Sequence, residues 1–297
     1  EEACSDDPKK KEKFVEEFDV EDMRKAIFDL SADGINLNIN AEDEFVFILG
    51  QTGSGKSTLA QLSNALLTPT KGTIKVFDQV VLPKKNTNLR GVRKRVGLVF
   101  QFPEYQLFED TVIKDVMFGP KNYGAKSDEA KRLAIDALEK VGVTEDLYER
   151  TPFTLSGGQM RKVAIAGVIA CNPDILILDE PTVGLDDVSK NDLMNTLVEI
   201  QKATHKSIVI ITHNMNVVAA YGKRVIVLDK GDIVFDGTPL QLFNDSKVLN
   251  RHHLDLPDIS KLAVKLKENG KINFNKIPLS VDELFSLIAK ESVKNDE

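Results

Sequence analysis

Gly50-Gln51-Thr52-Gly53-Ser54-Gly55-Lys56-Ser57-Thr58 fits the spacing G-x-x-x-x-G-K-[ST] at every position, the pattern of a loop that wraps phosphates. The apolar run Phe45-Val46-Phe47-Ile48-Leu49 before it predicts a buried strand, and Leu59-Ala60-Gln61-Leu62-Ser63-Asn64-Ala65-Leu66-Leu67 after it predicts a helix. Strand, loop and helix in that order imply a site for a nucleoside triphosphate. Glycines let the backbone close around the phosphates and turn N–H groups and the positive end of the helix toward them. Lys56 adds a point charge between the β- and γ-phosphates, and Ser57 carries a hydroxyl where such loops ligand Mg²⁺. A flexible Gly/Ser turn is the alternative, and the lysine with both flanks in register argues against it.

The chain has 297 residues, 42% hydrophobic and 29% charged, enough for one large domain with an appendage or for two domains. The composition is that of a soluble globular protein. No window approaches the roughly 18 consecutive apolar residues of a membrane-spanning helix, and the charged N-terminus does not resemble a signal peptide. Cys4 and Cys171 cannot build a disulfide framework, and Cys171 reads as a small buried side chain, so a cytoplasmic setting fits. A net charge of −7 argues against a nucleic-acid partner. The basic cluster Arg90-Gly91-Val92-Arg93-Lys94-Arg95 reads as a solvated loop.

In chain order, residues 1–13 form a charged segment expected to stay mobile, and the start at Glu1 without methionine is consistent with trimming. Ile35-Asn36-Leu37-Asn38-Ile39 alternates as a half-buried strand; residues 73–77 and 96–100 predict two more, the second ending at Gln101. Helical character then takes over, with Ser127 as a cap and Leu133, Ala134, Ala137, Leu138 and Val141 on one face. This insertion, about 102–165, closes at Leu155-Ser156-Gly157-Gly158-Gln159, and a further helix follows from Met160. Asp174-Ile175-Leu176-Ile177-Leu178 reads as a strand buried on both faces of a parallel sheet.

Asp179 and Glu180 stand at the carboxyl end of that strand, where open α/β sheets bind ligands. Asp179 can coordinate Mg²⁺, leaving Glu180 to orient or deprotonate the water that attacks the γ-phosphate; a solvated strand end is the alternative. Ser207-Ile208-Val209-Ile210-Ile211 delivers Thr212 and His213 to the same sheet edge. An isolated histidine is more often a structural hydrogen-bonder, but its place after a parallel-type strand favours a role near the γ-phosphate.

These motifs occur in the order and spacing of ATP-binding-cassette ATPases: the phosphate loop, Gln101, the segment Leu155 to Gln159, the strand ending in Asp179-Glu180, Gly184-Leu185-Asp186 and His213. The resemblance covers about 35–237. Residues 99–109, Phe118-Gly119-Pro120 and 158–167 further resemble the energy-coupling-factor ATPases, and among their two paired subunits the chain is similar to the second. The resemblance implies an α/β fold of the P-loop NTPase type, with a β-subdomain, a helical insertion and a small C-terminal extension. The domain would run over 14–240 and the extension over 241–297.

It also implies roles for matching residues. The phosphate loop with Lys56 would bind ATP, Gln101 would sense Mg²⁺ and γ-phosphate, and Ser57, Gln101 and Asp179 would face the metal. Glu180 would be the catalytic carboxylate, with His213 and Lys56 beside it. Leu155, Ser156, Gly157, Gly158 and Gln159 would close over the ATP of a partner cassette, with Asp186 contacting across that dimer. Such ATPases usually stack an upstream aromatic residue on adenine; no tyrosine precedes the loop here, and Phe18 or Phe28 is the expected ring.

Glu104, Tyr105, Leu107, Phe108 and Glu109 fall where the family docks its membrane scaffold; an ordinary loop is the alternative. Residues 258–268 and 280–290 predict two amphipathic helices in the extension, the second with a Ser280–Glu283 capping box and a stripe of Val281, Leu284, Leu287 and Ile288. A dimer contact is preferred for them over packing within the chain.

The reading as a whole is an ATP- and Mg²⁺-dependent ATPase that powers import of a vitamin or transition-metal ion. Its expected partners are a second ATPase subunit (a heterodimer preferred over a homodimer), a transmembrane scaffold and a substrate-binding membrane subunit, with the chain peripheral on the cytoplasmic side of the cell membrane. A soluble cassette acting on nucleic acid or in cluster assembly and a non-hydrolysing binding module are the alternatives.

Overall fold

The computed structural model describes residues 28–32, 35–40, 44–82 and 88–295; the expectation for 1–13 lies outside them. A six-stranded sheet forms the centre, in the order β10-β9-β3-β8-β7-β6. Its strands are β3 (Phe45–Leu49), β6 (Val96–Val99), β7 (Ile175–Asp179), β8 (Ser207–Ile211), β9 (Arg224–Asp229) and β10 (Asp232–Gly237). All pairings are parallel except β9 with β10. The second sheet, β2-β1-β4-β5, is antiparallel, from β1 (Phe28–Ala32), β2 (Ile35–Ile39), β4 (Thr73–Val76) and β5 (Gln79–Val81).

Period-two alternation divides the interior into two cores. Phe45, Phe47 and Leu49 face one way with Ile208, Ile210, Val225 and Val227, against the helical insertion. Val46 and Ile48 face the other way with Val209, Ile211, Ile226 and Leu228, against Leu59 and Ala60 of α1 (Lys56–Ser63) and the antiparallel sheet. Strands buried on both faces read as continuous apolar runs, which is what made β3, β7 and β8 legible.

Helix α2 (Arg90–Arg95) corrects the loop expected there. Val92 is buried, Arg93 donates to the carbonyl of Ala65, and Arg95 reaches Asp174 at 2.7 Å and Asp78 at 3.1 Å, so the helix is anchored on one side while Arg90, Arg93 and Lys94 stay exposed, as expected for a solvated cluster. The insertion holds α3 (Val112–Asn122), α4 (Ser127–Lys140) and α5 (Gly157–Ile169). Ser127 is the first residue of α4 and not its cap; Lys126 takes that position without a side-chain bond. Helix α6 (Asp187–Thr204), absent from the sequence reading, buries Leu193, Met194, Leu197 and Ile200 at helical spacing.

After β10 come α7's successors in the chain: where α7 is Met215–Tyr221, the extension adds α8 (Pro239–Asn244), α9 (Ser246–Arg251), α10 (Asp258–Glu268) and α11 (Val281–Asn295). It has a small core of Ala263, Ile272 and Leu284. It is pinned to the cassette by reciprocal bonds between Asn216 and Asp258, each 2.8 Å, and by His252 Nδ1 against Asp229 Oδ2 at 2.8 Å. The Ser280 hydroxyl accepts from Glu283 N, while the Glu283 carboxylate accepts from Leu279 N, one residue earlier than a standard capping box. Among the described residues no helix is long and apolar enough to cross a membrane.

Candidate nucleotide-binding and catalytic site

The phosphate loop runs from the end of β3 into α1 at the carboxyl edge of the parallel strands. Gly50 has φ +149°, and a Cβ there would stand 2.2 Å from the Leu228 carbonyl oxygen and 2.6 Å from Ser54 Oγ, so no larger residue fits. Gly231 N–H donates to Ser54 O at 3.0 Å, which clamps the loop against the β9–β10 turn. No motif announced that clamp. Gly55, at φ +104°, begins α1 without a side-chain cap, so the first-turn N–H groups are left for an anion. Lys56 Nζ donates to Gly50 O and Gln51 O, both at 2.8 Å. Burial lowers its pKa, while the charges of Glu180 and Asp179 act in the opposite sense, which places both carboxylates within electrostatic reach of the loop.

Asp179 closes β7 and pairs in register with Ile211 of β8, so the two strand ends deliver their next residues side by side. Glu180 has φ +51°, a left-handed conformation that costs an L-residue about 1–2 kcal/mol. It is held there by its N–H donating to Ile211 O at 2.8 Å. The carboxylate is 13% exposed; Oε1 lies 2.7 Å from His213 Nδ1, and Oε2 accepts from the Thr212 hydroxyl at 3.3 Å. Against a carboxylate acceptor Nδ1 is the donor of this bond, and the His213 side chain is 72% exposed, so the rest of the ring is open to solvent. Gln101 follows β6, the neighbour of β7, and is exposed at the same sheet edge. Ser57 and Thr58 are exposed in the first turn of α1.

The five signature residues divide. Leu155 is buried in the main core and anchors the segment. Ser156 caps α5, accepting from Gln159 N at 3.3 Å, while Gln159 Oε1 accepts from Ser156 N at 3.0 Å. The Gln159 amide thereby serves its own helix, which leaves Ser156, Gly157 and Gly158 as the outward surface. Asp186 caps α6 through Ser189 N and Oγ, at 3.0 and 2.7 Å; these hydrogen bonds, the backbone one first, hold its pKa below the usual value.

The docking segment needs two corrections. Leu107 is 5% exposed and belongs to the main core, so it is no surface contact. Glu104 pairs with Arg161 at 2.8 Å, with side-chain exposures of 12% and 5%, so its carboxylate is already satisfied within the chain. Burial pushes Glu104 up, but the hydrogen bond from Arg161 prevails and the net shift is downward. Tyr105 and Phe108 are 84% and 56% exposed, and Phe108 meets Phe118 edge-on at 4.9 Å. Phe18 lies outside the described residues. The backbone of Phe28 lies in β1, and its side chain is not among those described.

Residues 32–183 match the family model described as ABC transporter. Over 269 residues the chain is 45% identical to the energy-coupling factor transporter ATP-binding protein EcfA2 of Enterococcus faecalis, covering 90% of this chain and 91% of that one. It is 47% identical over 257 residues to EcfA2 of Lactobacillus acidophilus, covering 86% and 87%. The chain belongs to the ABC ATPases of energy-coupling-factor transporters. Among solved structures, CbiO1 from Clostridium perfringens, part of the ABC transporter complex CbiONQ, matches this ATPase with a TM-score of 0.65 and 36% identity over 81% of this chain and 97% of that one. The dimeric cassette MJ0796 bound to ADP and Pi matches with a TM-score of 0.60 and 29% identity, over 72% and 97%.

Proposed function

We propose that this ATPase works as one half of a head-to-tail pair of cassettes, each phosphate loop being closed by the other's signature segment. The observation that carries the reading is the pair Gly157 and Gly158. Neither has a left-handed φ, and a Cβ added at either meets nothing within 4 Å. Their own chain has no steric need of glycine there, and alanine would favour the helix by up to about 1 kcal/mol each. Small residues at the exposed start of a helix, beside a cap that Ser156 and Gln159 complete between themselves, make sense for a phosphate arriving from outside.

Within one site, Lys56 and the loop N–H groups bind the β- and γ-phosphates. Glu180 accepts a proton from the attacking water, and His213 holds that carboxylate in place while presenting Nε2 toward the γ-phosphate. Among the described residues no cluster of three His, Cys, Asp or Glu can hold a metal alone. Ser57, Gln101 and Asp179 are oxygen donors, which suits Mg²⁺ completed by phosphate oxygens and water. Mg²⁺ held there would neutralise charge on the phosphates.

The pair would sit on the cytoplasmic face of the cell membrane, a related ATPase supplying the second cassette, and drive uptake of a vitamin or transition-metal ion. A transmembrane scaffold would dock on Tyr105, Phe108 and Glu109, passing the motion to a substrate-binding membrane subunit. The exposed Leu262, Val281 and Phe285 of the extension, at 47%, 55% and 68%, would add to the contact between cassettes.

Gly158→Ala tests the shared site. Its melting temperature should match or exceed the wild type, while phosphate release by the assembled pair falls by about 10²-fold or more, the cost of disturbing a preorganised anion site. Full turnover in the Gly158→Ala assembly would refute the trans arrangement.

A further inference from the structure

Three segments with separate duties meet around one buried cation. Arg161 lies in the second turn of α5, behind the signature glycines. Its Nε and Nη2 donate to the two carboxylate oxygens of Glu104 at 3.1 and 2.8 Å. Its Nη1 donates to Pro181 O at 3.0 Å and to Val183 O at 2.7 Å. Glu104 is three residues beyond Gln101, and Pro181 follows Glu180 directly. Phe102, at φ +55°, closes the same junction: its ring centre is 5.9 Å from the guanidinium carbon, and a Cβ on Gly184 would lie 3.8 Å from the ring. The next residue, Lys162, adds a parallel tie to Asp192 of α6 at 2.6 Å.

Only a guanidinium has the planar fork for this task, gripping a carboxylate with two bonds while its remaining N–H groups hold two carbonyls. Stability alone is a weak account of it, because buried ion pairs are often no better than apolar packing. What the arrangement supplies is a rigid link with directional bonds at both ends. One end is the signature helix; the other is the backbone immediately after a strained Glu180, whose left-handed φ needs support from its surroundings.

We infer that Arg161 is a positioning residue, which ties the signature helix to the segments carrying Glu180 and Gln101 so that closure on one nucleotide sets the catalytic carboxylate at the other. The inference rests on the shared-site reading for its second half. Its first half, the hold on Glu180, is internal to this chain. Glu104, three residues from the nucleotide-sensing glutamine, is the anchor that makes the three segments one body.

The test uses the assembled ATPase. Arg161→Lys keeps the charge, but one ammonium cannot span the carboxylate and both carbonyls. Its kcat for ATP should fall about 10- to 100-fold, the order expected for misplacing a catalytic group by about an ångström, with KM within about twofold. Glu104→Gln should show the same split, and the double variant should be no worse than either single one, because the two act as a unit. In a Glu180→Gln background, Arg161→Lys should lower the residual rate by less than about twofold, since it acts through that carboxylate. If Arg161→Lys folds poorly, Glu104→Gln, which keeps the shape and one acceptor, carries the test. Turnover within about twofold of wild type in both variants, a loss confined to KM, or a full further loss on top of Glu180→Gln would each overturn the inference. The shared-site reading stands or falls separately on Gly158→Ala, which leaves the Arg161 junction intact.

Discussion

Replacing Glu180 by glutamine separates the chemistry of the site from its architecture. The amide oxygen can still accept from His213 Nδ1, now 2.7 Å from Oε1. The amide nitrogen would face Thr212 Oγ1, 3.3 Å from Oε2, and that hydroxyl can rotate to accept, as it already does from Asn214 N at 3.1 Å. Both contacts survive in form, so stability should change by no more than about 1 kcal/mol. What is lost is the ability to take a proton from the attacking water, worth about 10²–10⁴ in rate. That corresponds to about 2.7–5.5 kcal/mol of barrier. ATP affinity should hold or tighten, because the charge of Glu180 is felt at Lys56 and its removal relieves repulsion with the γ-phosphate. The assays are single-turnover phosphate release, nucleotide titration and thermal melting, all on the assembled pair. Release within about threefold of wild type would refute the assignment of Glu180 as the base, and a collapse in melting temperature would refute the account of its contacts.

Gly50→Ala should lower the melting temperature and weaken ATP binding together, because the new Cβ would stand 2.2 Å from a backbone carbonyl that cannot rotate away; overpacking of this kind costs about 1–3 kcal/mol, and unchanged melting and affinity would show that the loop shifts freely. The Glu104–Arg161 pair should leave a signature in acid. Because the carboxyl of Glu104 is held below its ordinary value of 4.5 in the fold, its contribution is present above that value and is lost as pH falls through the lower folded pKa. Urea denaturation at several pH values should therefore find Glu104→Gln less stable than wild type near pH 7, with the gap narrowing below about pH 4.5, and a gap that does not depend on pH would refute the assignment.

What the sequence made legible is local, and the reason is geometric. The phosphate loop, the strands that precede it and carry Asp179 and His213, and the first residues of α5 are each encoded in a short stretch whose spacing fixes its own shape. Those stretches point to one sheet edge because parallel strands buried on both faces leave ligands only at their carboxyl ends. Elements without a motif beside them were passed over, β9 among them although Val225 to Leu228 is the same kind of buried apolar run as β3. β9 and β10 carry no motif, yet Leu228 and Gly231 shape the phosphate loop from across the sheet. The helix after Asp186 did have a readable signal, an aspartate cap followed by Leu193, Met194, Leu197 and Ile200.

The misreading of Glu104 and Leu107 has a different origin. A run of acids among apolar residues gives no indication of which way each side chain turns, and the left-handed Phe102 together with the 3₁₀ turn Pro103–Gln106 is what sends Glu104 inward. Its partner, Arg161, is separated from it by 57 positions in the chain. Pairing at that distance is set by how the helical insertion folds back on the sheet, not by any local pattern. The motifs therefore name the groups proposed to do the chemistry, while the contacts that join the segments carrying them are properties of the assembled fold. Arg161, lying between the signature glycines and the backbone of Glu180, belongs to the second kind.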